Sequence, residues 1–377
     1  MSIISTLIVS FLWTATAFAQ DEALPESVTA PYLAFQAAEE AGDVQAAATA
    51  AEQAWRAGLE ASISPAVLGV LAENAGYYAH HTGAYDLAED AFLSAVEMNE
   101  QNNGDPVVRA RALRYVSDAQ YRKEEYRRAF ITSERAVELL EPLSPAPAVD
   151  AEMALLHALM SSSRWVRGQY RNAGYHGERA LLAARRAGIQ NAAVFGVAAF
   201  QAGAYYSYED QPFESAYWMT VARTLLSEEG SGNDLRFAAG AWGDLERARL
   251  DAEERARLIE RLREDDVYQP EYEAEQAEQV YDPEEGRVDA VPLERRPPQY
   301  PPEAAYAGIE GFALMRFDID EEGRPMNVEV VYSIPFREFG EEGVRTVRRW
   351  TYQPATENGV PVVRRGVMTR LDYQLAD

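Results

Sequence analysis

Four histidines and long runs of carboxylates are the residues of this chain whose types could do chemistry, and their spacing argues against each use. His80 and His81 are adjacent, so on a helix they point to different faces and do not chelate one metal together. His157 and His176 complete the set, and no catalytic constellation forms around any of the four. Gly230-Ser231-Gly232 lacks the strand and the x-Ser-x spacing of a nucleophile elbow and reads as a loop. Asp318-x-Asp320-x-Glu322-Gly323, with Glu329 at the twelfth position, comes close to a calcium loop of the EF-hand type. That loop needs helical flanks, and here the flanks alternate as strands, so an acidic hairpin turn is expected. The remaining carboxylates occur in solvated runs with no identifiable acid/base pair. The chain has no Cys, which excludes thiolate chemistry, disulfides and cysteine metal sites. The expectation is a protein that is not an enzyme, uses no cofactor and holds no metal.

The bulk composition narrows the partners. The formal net charge is −26 over 377 residues, which argues against nucleic acid, where clustered cations must neutralise phosphates. It argues equally against a general affinity for anionic lipid. Lys123 is the single lysine, and a hydrophobic content of 47% is ordinary for a globular chain long enough for two domains.

The elements that would position a binding site are of two kinds. A pattern of Gly or polar, x, aromatic or Val, two residues, Ala, then a second Ala recurs five times: Gly42-Asp43-Val44…Ala47…Ala54, Gly83-Ala84-Tyr85…Ala88…Ala95, Glu124-Glu125-Tyr126…Ala129…Ala136, Gly168-Gln169-Tyr170…Ala173…Ala180, and Gln211-Pro212-Phe213…Ala216…Ala222. Positions 44, 85, 126, 170 and 213 are 41 to 44 apart, the period of stacked helical hairpins. Gly allows a left-handed turn, the aromatic opens the second helix, and Ala permits close packing. An all-α solenoid is expected over 31–264. Asp105-Pro106 and Pro142 to Pro147 mark hairpin boundaries. Ala192 to Tyr206, nearly all apolar or small, should lie between neighbouring helices, and Asp244 to Glu264 should form a solvated closing helix.

Two further segments flank the solenoid. Ile3 to Trp13 are apolar, and Ala17-Phe18-Ala19 before Gln20 is a small-x-small cleavage pattern, so 1–19 reads as a signal peptide. The alternative is an uncleaved anchor, since Ser2 to Phe18 just reaches the lower limit for a membrane span. Asp265 to Gly286 hold nine acidic residues and no basic one, and 265–297 is expected to be an extended acidic linker.

Residues 298–375 make a small α+β unit in the order helix-strand-strand-helix-strand. Ala313, Met315, Phe317 and Ile319 alternate as a strand with one buried face, and Val328, Val330 and Tyr332 return beside it. Arg337 to Arg349 reads as a helix presenting Phe339, Gly343, Val347 and Trp350, with Trp350 and Tyr352 in the core. Val367, Thr369, Leu371 and Tyr373 form the last strand. Gly340 and Gly343 should each cost that helix about 0.5–1 kcal/mol relative to Ala.

Gln299-Tyr300-Pro301, Ile309-Glu310-Gly311, Arg316-Phe317-Asp318, Asn327-Val328, Arg348-Arg349-Trp350 and Gln353-Pro354 occur in an order and spacing that resemble the C-terminal domain of the TonB family, over roughly Pro298 to Leu375. The helical pattern, best in the copy holding Leu71, Asn74, Gly76 and Tyr78, resembles tetratricopeptide repeats. The first resemblance implies that the free edge of the last strand captures the short N-terminal box of an outer-membrane receptor by strand addition. The segment concerned is Val363, Arg364, Arg365, Gly366, Val367, Met368, Thr369, Arg370 and Leu371, running on to Tyr373. Arg364, Met368 and Arg370 would point outward and tune the choice of peptide. Gln299, Tyr300 and Pro301 match the segment that lies near the receptor plug, although Tyr300 and Pro301 could equally only pin the start of the domain. The departures lie upstream. No His falls within the first 79 residues, where the family carries a membrane-anchored His that couples to a motor, and the family's Pro-rich spacer is replaced by the solenoid and acidic linker. The resemblance implies a periplasmic adaptor with a second, unidentified protein partner on the repeats. The alternatives are an inner-membrane energy transducer and a periplasmic scaffold that dimerises through its C-terminal domain.

Overall fold

The computed structural model describes residues 24–189, 194–226, 231–265, 286–307, 311–334 and 337–373. The expected signal peptide, and the part of the acidic linker that carries Tyr268, Tyr272 and Tyr281, lie outside the described residues. Among those described, no helix is long and apolar enough to cross a membrane.

Helices come in pairs, as the period requires. They are α1 (Glu26–Glu40) with α2 (Val44–Ala61), α3 (Pro65–His81) with α4 (Tyr85–Gln101), α5 (Pro106–Arg122) with α6 (Tyr126–Leu140), α7 (Pro147–Trp165) with α8 (Tyr170–Arg186), α9 (Val194–Tyr208) with α10 (Pro212–Leu225), and α11 (Ser231–Ala248) with α12 (Ala252–Glu264). Pro in the first turn starts α3, α5, α7 and α10 without wasting a backbone donor. The turns before α2, α4, α6, α8 and α10 each hold a residue at positive φ: Gly42, Gly83, Glu124, Gly168 and Asp210. The paired alanines of all five copies, from Ala47 and Ala54 to Ala216 and Ala222, are buried to 3% exposure or less. Small side chains there let the helices approach closely.

The chain divides into two compact units, one reaching to Arg167 and including Tyr175–Gln190, the other made of Gly168–Gly174 and Asn191–Asp377. In the first unit the two adjacent histidines diverge as expected. His80 Nε2 meets the Asp118 carboxylate, whereas His81 Nδ1 lies 2.8 Å from the Tyr77 carbonyl. His157 and His176, on α7 and α8, face each other with their Nδ1 atoms 3.2 Å apart.

In the second unit, α9 is apolar on every side because both its faces are covered. Ala198, Ala199, Ala202 and Gly203 are buried along it, and Phe200 meets the ring of Tyr332, a residue of the C-terminal sheet, edge to face at 5.6 Å. Asp244 to Glu264 is not one helix. Ser231, read as part of a loop, opens α11, which ends at Ala248. Asp251 then starts α12 by accepting from Glu254 N–H, while the Glu254 side chain accepts from Asp251 N–H. A capping box of this kind inside a run of charges is easily taken for a solvated face.

The C-terminal part contains β1 (Arg287–Val288), β2 (Val291–Glu294), α13 (Pro302–Ala307), β3 (Gly311–Ile319), β4 (Pro325–Ile334), α14 (Arg337–Val347), β5 (Thr351–Gln353), β6 (Ala355–Glu357), β7 (Val360–Val362) and β8 (Arg364–Tyr373). The expected order is present as α13-β3-β4-α14-β8, in a sheet ordered β4-β3-β8. The short strands were not expected. β1 and β2 fall in the stretch read as linker, pairing Arg287 with Glu357 and Val291 with Gln353. Strands this short gain their order from partners some sixty residues later, which composition does not reveal. Asp320 closes the β3–β4 turn as an acidic hairpin: its carboxylate accepts from the N–H groups of Glu322 and Arg324 at 3.1 and 2.7 Å.

Ala313, Met315, Phe317 and Ile319 of β3 pack with Phe339, Val347, Trp350, Tyr352, Leu371 and Tyr373 into one core under α14. Trp350 Nε1 donates to the Arg296 carbonyl at 2.9 Å, and Tyr373 OH donates to the Phe339 carbonyl at 2.8 Å. β3 was expected to bury one face, yet Gly311 to Met315 are buried on both. The two helix glycines have a packing role: a Cβ on Gly343 would stand 2.8 Å from Met315 Sδ, and one on Gly340 would stand 2.9 Å from Val330 Cγ1. Helix propensity alone makes Gly343→Ala stabilising by about 0.5–1 kcal/mol. Overpacking a closed core costs about 1–3 kcal/mol, so urea unfolding of Gly343→Ala is expected to show a net loss of stability. A net gain would mean that α14 does not rest on β3 at this distance.

Burial and the two-histidine contact set a second expectation. Desolvation, then the charge of His176, then Arg179 and Arg186 push His157 down to about 3. Desolvation followed by Arg164 and Arg179 pushes His176 down to about 4. The folded state therefore holds both rings neutral, and the unfolded chain takes up protons first as pH falls below the ordinary 6.5. The stabilisation is complete above about 6.5 and is lost progressively as pH falls towards the folded values, at a limiting slope of about 1.4 kcal/mol per pH unit for each histidine. Replacing both with Gln should flatten the dependence of urea midpoint on pH between 6.5 and 4.

Candidate peptide-binding edge

β8 is paired along one edge only. Its partner is β3, in a register running from Gly311↔Tyr373 to Ile319↔Arg364, and among the described residues no strand pairs with its outer edge. Phe317 opposes Val367 while Ile319 opposes Arg364, so β8 carries one extra residue there. Gly366, at φ +67, forms that bulge, and its N–H donates to Asp318 Oδ1 at 2.9 Å. Bulges interrupt edge pairing, leaving Val367–Tyr373 as the regular stretch of open edge.

The expected binding residues sort by face. Val367, Thr369, Leu371 and Tyr373 turn towards α14 and are wholly or partly buried, so they can offer an incoming strand mainly their backbone. Arg365 and Gly366 are exposed, and Val363 is half-buried. Of the three side chains expected to point outward, Arg364 pairs with Asp289 at 2.8 Å and Met368 lines a groove beside the edge. Arg370 does not face outward. It turns onto the helices, where Nη1 meets Ser207 Oγ and lies 3.4 Å from Glu246 Oε1, and Nε lies 2.9 Å from Asp372 Oδ1. Its guanidinium also lies over the rings of Trp242 and Tyr208 at 5.3 and 5.7 Å. Gln299 is exposed. Tyr300 packs 6.0 Å from the Tyr373 ring and 6.1 Å from Phe339, its OH 3.5 Å from the Tyr373 carbonyl. Tyr300 therefore braces the end of β8, with Pro301 half-buried beside it.

The other side of the site is built by tertiary contacts. The face of β3 away from α14 carries Phe312 and Leu314, both fully buried. Phe312 meets Trp242 of α11 at 4.4 Å and Tyr208 of α9 at 6.2 Å. This apolar contact, worth about 1.5–3 kcal/mol for each large side chain buried, holds α11 along the sheet. A groove of about 300 Å³ then runs beside β8, lined by Trp242, Leu245, Glu246, Arg249, Arg295, Met368, Thr369, Arg370 and Asp372. Thr369 belongs to one face of β8 and Met368, Arg370 and Asp372 to the other, so the groove follows the strand's outer edge.

Glu246 is the buried charge of the groove, 3% exposed. Its Oε1 accepts from Trp242 Nε1 at 3.2 Å and from Ser207 Oγ, and its Oε2 pairs with Arg249 at 2.7 Å. Hydrogen bonding to Asp210, and then to Glu246, raises the Arg249 pKa further. Trp242, Leu245, Glu246, Arg249 and Arg295 were not singled out from the sequence. The all-apolar character of α9 is the one signal in the sequence, and it implies only that neighbouring elements cover the helix on every side.

Residues 296–375 match the family model described as Gram-negative bacterial TonB protein C-terminal. Protein TonB of Pseudomonas aeruginosa is 36% identical over 76 residues, covering 20% of this chain and 22% of that protein. Protein TonB of Escherichia coli is 39% identical over 62 residues, covering 16% of this chain and 26% of that protein. A solution NMR structure of the Pseudomonas aeruginosa TonB CTD is 30% identical, covers 24% of this chain and 90% of that chain, and has a TM-score of 0.22. The chain thus spans about a quarter of the length of the curated relatives it matches.

The Arg370–Glu246 contact yields a stability expectation. Arg370→Met leaves Glu246 with Arg249, Trp242 and Ser207, so the cost should be about 1–3 kcal/mol, the penalty of a partly unsatisfied buried group. Adding Glu246→Gln should cost less than the two single changes summed, as contacting residues do. Strict additivity in a urea double-mutant cycle would separate the two residues.

Proposed function

With a TonB-type C-terminal domain at residues 296–375 as the premise, we propose that the chain is a non-enzymatic periplasmic adaptor. On this reading an extended peptide from an outer-membrane receptor adds as a strand to the open edge of β8, over Val367–Tyr373. The helical hairpins act as a tetratricopeptide-like platform for a second protein. The observation that carries the reading is the outer edge of β8, which no strand pairs among the described residues, with a groove beside it.

Strand addition assigns affinity to main-chain hydrogen bonds and selectivity to alternate side chains. Two or three such bonds, at about 1 kcal/mol net each, amount to about 2–3 kcal/mol, a factor of more than roughly ten in affinity. The buried faces of Val367 and Leu371 suit this division, because their side chains pack on the core and their backbone edge is open. The reading places export of the chain on the segment 1–19, which lies outside the described residues.

The test uses the full chain and synthetic peptides copying the N-terminal extensions of outer-membrane receptors from the same cell. N-methylating alternate peptide amides removes the donors along one edge of the bound strand and leaves the protein unaltered. Fluorescence anisotropy should show a loss of at least about tenfold for one methylation register and little change for the other. Equal binding by both registers would sink strand addition.

A further inference from the structure

The groove beside β8 has two walls of different origin and chemistry. On the side away from α14 the wall is helix α11, with Leu245 half-buried and Trp242 beneath it, next to Met368 of the strand. On the α14 side the wall is Arg295, which lies over the rings of Trp350 and Tyr352 at 5.1 and 5.4 Å and donates from Nε to Tyr352 OH at 3.1 Å. Arg295 is exposed, and among the described residues no carboxylate pairs with it. The two carboxylates of the lining are already engaged: Glu246 by Arg249 and Arg370, Asp372 by Arg370. Arg249 has a further partner in Asp210, so Arg295 is the one guanidinium of the lining with no carboxylate among the described residues, in a chain whose net charge is −26.

Successive side chains of an added strand point to opposite faces. One set would meet the apolar α11 wall and the other the spare donors of Arg295. A carboxylate on that second set would gain a charge-assisted hydrogen bond without displacing an existing pair. We infer that helix α11 is the second wall of the binding groove, so that the captured segment is read by the helical portion of the chain as well as by the C-terminal domain: an apolar side chain seats against Leu245 and Met368, and a carboxylate on the alternate face pairs with Arg295. This rests on the strand-addition reading and extends it to residues outside the matched domain. The occupant is an extended segment of another protein that carries an acidic side chain.

The probes are short capped Thr/Val peptides carrying a single Glu, Gln or Lys, stepped along the sequence and titrated against the full chain at low salt. At one register the Glu peptide should bind about tenfold more tightly than the Lys peptide, equivalent to about 1.4 kcal/mol. Arg295→Gln, at an exposed position that circular dichroism should show to be tolerated, is expected to abolish that preference while leaving the Gln peptide's affinity unchanged. Leu245→Glu should weaken all three peptides. Edge-dependent binding that ignores both substitutions would overturn the α11 wall and leave strand addition standing. Failure of every peptide, or indifference to N-methylation, would instead remove strand addition and this inference with it. A dimer in sedimentation that the peptides do not dissociate would assign the groove to a second copy, and would likewise overturn the inference.

Discussion

The packing of Phe312 and Leu314 against helices α9 and α11 is the constraint on which the candidate site depends. A three-stranded sheet with one helix behind it exposes its other face, and here that face is closed by Phe200, Tyr208 and Trp242. Closing it does two things at once. It makes the last helical hairpins and the β-domain one compact unit, and it places α11 along β8 so that an open strand edge becomes one side of a groove. Without that contact β8 would be a bare edge, and Arg370 would have no reason to turn inward.

The charges are arranged around the same contact. Glu246 is buried at the helix–sheet junction and is tolerated because Arg249, Arg370, Trp242 and Ser207 share its oxygens. A buried ion pair of this kind is weak evidence for stability, but it does fix how Arg370 and Asp372 are presented beside the edge. Arg295 is left with spare donors on the opposite wall. In the proposed function, the main chain of β8 supplies adhesion, and these side chains decide what adheres.

Much of the fold was legible in the sequence. Local rules sufficed for the helical hairpins, because turn residues, helix-opening aromatics and paired alanines recur in register at positions 44, 85, 126, 170 and 213. The β3–β4 hairpin, α14 and β8 followed from alternation and helical spacing in the same way. Local rules failed where an element takes its order from distant partners. β1 and β2 lie in a stretch whose composition predicts a linker, because strands of two and four residues carry no periodicity of their own. By helix propensity Gly340 and Gly343 are defects of α14, yet their lack of a side chain is what lets the helix come down onto Val330 and Met315.

For the site, the sequence by itself determined which residues of β8 alternate, since pleating follows from residue order alone, whereas the free edge was implied only by the resemblance and follows physically from the strand order β4-β3-β8. The tertiary structure decided what the alternate faces meet. Arg364, Met368 and Arg370 share one periodicity, yet the first is paired with Asp289, the second lines the groove, and the third is folded onto Glu246. Trp242, Leu245, Glu246 and Arg249 sit more than a hundred residues before β8, in a stretch whose charges look like any solvated helix. Only the burial of the sheet's second face brings them to the edge, because hydrophobic contact between surfaces distant in sequence leaves no local pattern in either one.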